Sequence, residues 1–571
     1  LLIFLIGLGT PDGIPMSDVK SIIQHTHAHL HGPVAFDFDR KPLHPEGWPS
    51  WQHTVNRDRI YDFYAKEADH FRALAQVGKP VPPLLMEYPG LDGGELGHWG
   101  NQNETTWASG VWNEAKLGTV QAGIFRGDGV TVPRGICVQL GDDGELACCF
   151  NPDTLSYDAV WKGGFLKFSS VRHGFLHGVL MDGQALPNPD RGNGPEGTKV
   201  NEPFTYRGYH RVDNRIVFSY QIGDTEYFDS PWIEDGKFIR VAGPASEHQL
   251  ADRIGMSKPQ WPETFETDIV HGDTSPYSVD TIQLPKKTPW NVPMFGGGLG
   301  FLPDGSALVC TMHGDVWRVS GLDYPSKKAT WNRFASGLHH CQGMIIDEDG
   351  IFVMGRDQLT RLHDLNGDGE ADYYHCFSNA FETSAAGHDF ICGLERDKTG
   401  NFYTASGNQG IVQISSNGKQ ADVVATGFRN PDGIGLTSDG LITVPCSEGS
   451  WTPSTMICAF KPDSSKTAEA SPFFGFRGPK NGQTPKLPLV YFARGFDNSA
   501  GGQQTVTSER WGPLKGQLLH FSFGTGSHFL TLQDEVDGQI QGANVPLPGE
   551  FLSGVHRGRF SPHDGQLYVT E

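Results

Sequence analysis

From Gly296 onward, apolar and polar positions alternate in short runs separated by Asp-Gly-type turns. Six phrases share this form: GLGFLPDGSALVCTMHGDVWRV, GMIIDEDGIFVMGRDQLTRL, GLERDKTGNFYTASGNQGIVQI, GIGLTSDGLITVPC, TSERWGPLKGQLLHFSFG and GRFSPHDGQLYVTE. Their turns sit near Gly305, Gly350, Gly400, Gly440, Gly516 and Gly565, so most spacings are 40 to 50 residues and one is 76. Hairpin chemistry at that period predicts the blades of a β-propeller. The pattern predicts six blades over residues 291–571, with the last incomplete because the chain stops at Glu571 just after a strand. Closure needs further strands, unless an upstream segment such as 281–285 supplies one. A propeller binds ligands where its inner strands and their loops converge on the central channel.

Upstream the periodicity changes. Ile60, Tyr64, Phe71 and Leu74 fall on one helical face, which predicts a helix over 58–77, capped at Asn56 or Asp58 and stopped at Gly78. A Pro/Gly-rich loop follows. From about Gly118 to Val241 short strands alternate with turns, as in GICVQLGDDGELACCF and RGYHRVDNRIVFSYQIGDTEYF. This predicts an antiparallel, sandwich-like domain over 51–241, with residues 242–290 as a polar linker. The fold class expected is all-β: a β-sandwich-like domain with one helix, then the propeller. Residues 1–50 are irregular, and LLIFLIGLG at the start is too short to span a bilayer. It reads as the remnant of a signal-peptide core or as a buried strand.

Composition narrows the partners. The 73 Gly and 38 Pro suit a turn-rich β protein, and a net charge of −21 makes nucleic acid and anionic membranes poor partners. With the N-terminal apolar run, this points to a secreted or periplasmic protein. The nine cysteines form no CxxC or CxxCH, which excludes a zinc ribbon or c-type haem within this segment. Most lie in apolar strands and are expected as buried thiols, while Cys341 and Cys376 lie nearer loops, within reach of pairing.

Three constellations carry chemistry. DLNGDGEAD at 364–372 places Asp364, Asn366, Asp368, Glu370 and Asp372 at the alternation of a compact calcium loop, with Gly369 at the bend. The twelfth-position Glu of a sensor EF-hand is absent, so a structural calcium is expected; a metal-free acidic turn is the plainer alternative. Second, Gln342, His388, Arg429 and Asn430 stand at equivalent unit starts, which brings them to one rim of the channel. Third, Arg557 and Arg559 precede or open the last inner strand, and a cationic channel suits a ligand with carboxylates or phosphates. Arg494, Arg510 and Lys515 complete that basic set. HTHAHLH (His25, His27, His29, His31) could bind zinc or copper, and His98, Trp99 and Trp107 could stack on a sugar; a polar segment and a buried aromatic plug are the plainer readings.

ALVCTMHGDVWRV, NFYTASGNQG and GFRNPDGIG resemble the six-bladed propeller of soluble quinoprotein glucose and sorbosone dehydrogenases, over about 296–571. The resemblance implies His388 as general base toward a sugar or polyol hydroxyl, and Arg429 as the group holding the quinone and the developing oxyanion. It implies Asn430, Gln342, Arg557 and Arg559 as cofactor or substrate contacts, and pyrroloquinoline quinone and calcium as cofactors. The family's cofactor-calcium loop has no evident match at 448–455. The whole layout resembles large secreted bacterial proteins that often continue into a c-type haem domain, the natural electron acceptor. Two further readings compete: a non-catalytic, calcium-stabilised propeller that binds carbohydrate or protein, and a lactonase-type hydrolase, ranked last because no ring of carboxylates stands at the unit starts.

Overall fold

The computed structural model describes residues 110–571 apart from 170–176, 189–190, 198, 276, 286, 388, 448–453, 464–470, 480–482, 493–495, 498 and 549–550. It also describes the backbone of Leu2–Ile6 and residues 73 and 76–78. The expected helix over 58–77 and the His-rich and Trp-bearing segments fall almost wholly outside the described residues.

The described chain is nearly all β and propeller-like. Five of the six repeated phrases form an inner strand, a turn and a second, antiparallel strand; in the fifth the inner strand precedes the phrase and a short 3-10 segment at Glu509–Leu514 leads to the second strand. The inner strands are Gly296–Phe301, Gly343–Asp347, Ile391–Arg396, Gly435–Leu436, Ala500–Thr505 and Arg557–Phe560. They contact one another in that order, and the last contacts the first. The turns form for local reasons: at 397–401 the Asp397 carboxylate accepts from Thr399 N (2.8 Å) and Asn401 N (3.0 Å), and Gly400 takes φ 88°.

The ring is tight because its backbones touch. A Cβ on Gly297 would lie 1.8 Å from Cys341 O, and one on Gly502 would lie 2.5 Å from His556 O. Only glycine permits that approach. The space left among the inner strands near Gly298, Gly343, Gly393 and Arg557 is about 10 Å³, the room of a single water.

The last repeat is completed from upstream, as the sequence allowed for a segment such as 281–285, while other long-range pairings depart from the sequence reading. Leu567–Thr570 pairs with Leu2–Ile6, which pairs with Ser278–Ile282. The expected linker, 242–290, thus supplies a strand, and it supplies another in Thr264–Val270, which pairs with Lys328–Ala335. The polar linker composition hid an alternation in TFETDIV that leaves Ile269 buried.

Upstream, a seven-stranded sheet spanning 120–185 faces the strands between Phe204 and Pro244. Phe150 stacks on Phe218 with ring centroids 4.0 Å apart across that core. Beneath it, the Tyr157 and Tyr220 hydroxyls donate to Asp229, which also pairs with Arg240. The second sheet does not end there. Phe204–Val212 pairs with Tyr373–Ser378, so an eight-stranded sheet runs unbroken into the second repeat.

The ring makes a direct prediction. Gly297→Ala should lower unfolding stability by about 1–3 kcal/mol or more, because overpacking here meets backbone rather than a side chain that can move. Chemical denaturation checks it; an unchanged midpoint would show that the inner strands can part.

Candidate functional site

The residues just before the inner strands form one mouth of the ring. Gln342 is buried there. Its carbonyl accepts from Arg557 Nε (2.9 Å) and Gly393 N (2.9 Å), and its side-chain Oε1 accepts from the Cys392 thiol (2.7 Å). Arg557 also donates through Nη1 to His556 O (2.6 Å), while its Nη2 is buried with no hydrogen-bond partner. Burial lowers the Arg557 pKa, offset by nearby Cys392 and Asp432. Half-buried Asp432 is pushed up to about 7 by burial, against the pull of Arg557, with Asp497 adding to the rise.

Behind this cluster lies a buried His–carboxylate pair. His520 Nε2 donates to Asp497 Oδ2 (2.9 Å), and Gln503 Nε2 donates to His520 Nδ1 (3.3 Å). Asp497 Oδ1 and Gln503 Oε1 are buried without partners. Two unfilled acceptors and the unfilled Arg557 donor leave this mouth with hydrogen-bonding capacity for water or a ligand.

The structure sorts the expected site residues. It joins Gln342 to Arg557. Arg429 and Asn430 are exposed at the same mouth, with Asn430 at φ 41° and the Arg429 amide donating to Cys446 Sγ (3.1 Å). His388 lies outside the described residues, as does Arg494. Arg559 points elsewhere. Two residues further along its strand, it donates to Glu395 Oε1 (2.5 Å), Gln504 Oε1 (2.9 Å) and Leu394 O (2.6 Å), toward the opposite mouth. Asp432, Asp497, Gln503 and His520 went unread in the sequence. GFRNPDGIG and RGFDNSAGGQ contain three of them, but the weight fell on Arg429, Asn430 and the basic residues.

The upstream sheet docks on the loops around the second inner strand and before the third, on this side of the ring. Ala122 N donates to Gly337 O (2.7 Å), and Gln121 Nε2 to Leu338 O (3.1 Å). Arg134 Nε donates to Asp357 O (2.9 Å), and Arg126 Nη2 to Ala385 O (2.8 Å). Arg356 holds the same loop through Ser384 O (3.1 Å) and Ala386 O. Beneath the docked sheet, burial pushes the Asp357 carboxyl up to about 7. Burial, with Arg356 and Arg134 nearby, holds His339 well below the usual histidine range.

The acidic loop divides its five candidates. Asp364 accepts from Gly367 N (2.7 Å) and Gly369 N (2.9 Å), Asn366 Oδ1 from Asp368 N (2.9 Å), and Asp368 Oδ1 from Glu370 N (3.0 Å). Glu370 turns away: it pairs with Arg211 (3.2 Å) and accepts from the Gln260 and Trp261 amides, while Asp372 is shared, with Oδ1 on Arg211 (3.4 Å) and Oδ2 accepting from Leu365 N of the loop (3.1 Å). Among the described residues no group of three or more His, Cys, Asp or Glu is arranged to hold a metal ion. All nine cysteines are buried and free, so Cys341 and Cys376 do not pair, although both pack in the same apolar core. Among the described residues no helix is long and apolar enough to cross a membrane.

Residues 148–229 match the family model described as a domain of unknown function (DUF6797). No curated protein matches the chain. Among solved structures it is similar to a candidate oxidoreductase (glucose dehydrogenase) from Thermus thermophilus, at 14% identity and a TM-score of 0.38, covering 54% of this chain and 93% of that one. It is also similar to the pyranose dehydrogenase PQQ domain from Coprinopsis cinerea, at 10% identity and a TM-score of 0.35, covering 55% and 98%. A third likeness is to the soluble aldose sugar dehydrogenase from Escherichia coli, at 12% identity and a TM-score of 0.31, covering 54% and 96%.

The buried Asp357 carboxyl predicts a pH dependence. Folded Asp357 keeps its proton up to about pH 7, whereas an unfolded Asp loses it near ~3.9. Stability from this group therefore falls as pH rises between those values and levels off above them. Asp357→Asn should make the fall of unfolding free energy across that window shallower by one group's share, leaving the slope due to the other raised carboxyls, Asp432 and Glu571 among them. Identical slopes for the two proteins would contradict the assignment.

Proposed function

We propose that the chain is an exported sugar or polyol dehydrogenase built on a six-bladed propeller at 291–571, acting at the mouth where Arg429, Asn430, Asp432, Gln342 and Arg557 gather. The observation that carries this reading is the buried Arg557 with an unfilled Nη2 beside Asp432, whose carboxyl titrates near neutral pH. Such a carboxyl can take a hydroxyl proton, and a cation beside it offsets developing negative charge.

The residues suit pyrroloquinoline quinone in charge. They do not suit it in depth, since the inner strands leave the room of one water. Arg429, Asn430 and Arg557 are therefore the residues that would hold it, from the mouth itself. When bound, the quinone supplies the electrophilic carbon that accepts the substrate's hydride. His388 is the proposed base, on the resemblance; Asp432 is a second proton acceptor at the same mouth. Arg126 and Arg356 hold the loop 384–386 that leads to His388. Electrons would leave to a c-type haem domain or another acceptor. Arg559, committed to Glu395, is left out of the cofactor set.

The second reading is a non-catalytic, calcium-stabilised propeller that binds carbohydrate or protein. The sealed ring favours it.

A dye-linked oxidation assay decides between them, with the chain loaded with the quinone and calcium and offered sugars and polyols. Turnover that falls about 100-fold or more in His388→Ala or Asp432→Asn supports the dehydrogenase. Absence of both quinone binding and turnover would overturn it.

Calcium is proposed at Asp364, Asn366 and Asp368, in a structural role; Glu370 would need to leave Arg211 to join them, whereas Asp372 already turns one oxygen toward the loop. Chelation should lower the thermal midpoint, and Asp364→Ala should abolish that response. A midpoint indifferent to chelator and calcium would show that the loop is held by its own amides.

A further inference from the structure

The upstream sheet carries two thiols set face to face. Val130–Leu140 and Leu146–Asn151 form a hairpin closed by the turn at 141–145, and its register puts Cys137 directly opposite Cys149. The strand on the other side of Cys137 shows which kind of pair this is. Gln139 N donates to Thr119 O (2.8 Å), so the backbone groups of Gln139, and of Cys137 two residues back, point toward Val120–Gly127 and away from Cys149. Cys137 and Cys149 are therefore a non-hydrogen-bonded pair, the kind whose Cα atoms come to about 4.5 Å and whose side chains stand closest. A disulfide bridges Cα separations of about 4.4–6.8 Å.

Both side chains are fully buried on one face of the sheet, among Phe125, Ala147, Ala159 and Trp161. Cys148 points to the other face and packs in a different core. Burial, and then the Cys137 thiol beside it, push the Cys149 pKa well up. A Cβ on Gly135 would lie 3.0 Å from Cys149 Sγ, so glycine there leaves that sulfur its room. Of the nine cysteines, no other two stand directly opposite each other on paired strands. Cys446 faces Met456 and Cys458 faces Val444, which makes those two diagonal neighbours, about 7–8 Å apart and beyond the reach of a disulfide.

We propose that Cys137 and Cys149 form a disulfide when the chain folds under oxidising conditions, and that the dithiol of this structure is its reduced form. The co-reactant is a donor disulfide, such as oxidised glutathione or the active-site disulfide of a thiol oxidase. One cysteine thiolate attacks it and releases the first donor thiol; the second thiolate displaces the other donor thiol and closes the Cys137–Cys149 bond. Two protein thiols are oxidised, one donor disulfide is reduced to two thiols, and the two protons pass to them. Packed thiols are inert, so the bond closes while the hairpin is still wet. It then locks the hairpin that carries Arg134, whose guanidinium reaches Asp357 O. The proposal does not depend on the dehydrogenase reading.

The test produces the full chain twice, in a reducing and in an oxidising compartment. Each product is denatured without reductant, its free thiols are alkylated, and its peptides are mapped by mass spectrometry. The oxidised product should yield one linked peptide pair, two hydrogens lighter than the separate peptides, with fragment ions placing the bond on Cys137 and Cys149 and the other seven cysteines alkylated. It should also unfold at a higher denaturant concentration than the reduced product, and added reductant should remove that difference. Alkylation of both Cys137 and Cys149 in the oxidised product, or a bond that joins either of them to Cys148 or another cysteine, overturns the proposal. Identical unfolding midpoints for the two products would overturn the locking role.

Discussion

The structure depends on backbone meeting backbone around one closed ring. Inner strands can approach this closely only where no side chain stands between them, so Gly297 and Gly502 face carbonyl oxygens of the next strand. That contact sets the radius of the ring, and the radius sets what the centre can hold. What remains is the Arg557 guanidinium, hydrogen-bonded to the carbonyls of Gln342 and His556. Buried cations need such partners, and Arg557 finds them in backbone rather than in a carboxylate ion pair.

From the sealed centre follow two mouths with different electrostatics. On one side the polar groups are incompletely satisfied: Arg557, Asp497 and Gln503 each keep an unfilled atom. Burial there drives Asp432 toward neutrality at physiological pH. On the other side the charged groups are fixed by ion pairs and hydrogen bonds, with carboxylates in excess of cations. Unsatisfied, pKa-shifted groups suit chemistry. The upstream sheet adds a third element. Its arginines, Arg126 and Arg134, reach across to backbone carbonyls of the second repeat and its following loop, so the sheet is latched by charge-assisted bonds rather than by apolar contact alone.

Much of this was legible in the chain because it is local. Asp-Gly turns declare their hairpins wherever they occur, and the repeat alone placed Gln342 and Arg557 at one rim although they lie 215 residues apart. Pairings that cross the chain left no such trace. Nothing in LIFLI or SVDTI says that the two lie side by side, and nothing in the strand from Phe204 says that it pairs with Tyr373–His375. Burial was equally hidden. Asp432 and Asp497 read as ordinary turn acids until packing removes their water. Arg559 looked equivalent to Arg557 by position on its strand, and only the placement of Glu395 from a neighbouring repeat commits it to the other mouth. The acidic loop was legible as a pattern, while the pairing of Glu370 and Asp372 with Arg211 depends on a residue 159 and 161 positions upstream.

Hydrogen–deuterium exchange along the inner strands tests the central claim most directly. If the ring is sealed by backbone contact, amides in Gly343–Asp347, Ile391–Arg396 and Ala500–Thr505 should exchange with the global unfolding of the propeller region, the slowest in the molecule. Fast, locally gated exchange in those strands would mean an open or breathing channel. It would contradict both the sealed centre and the separation of the two mouths.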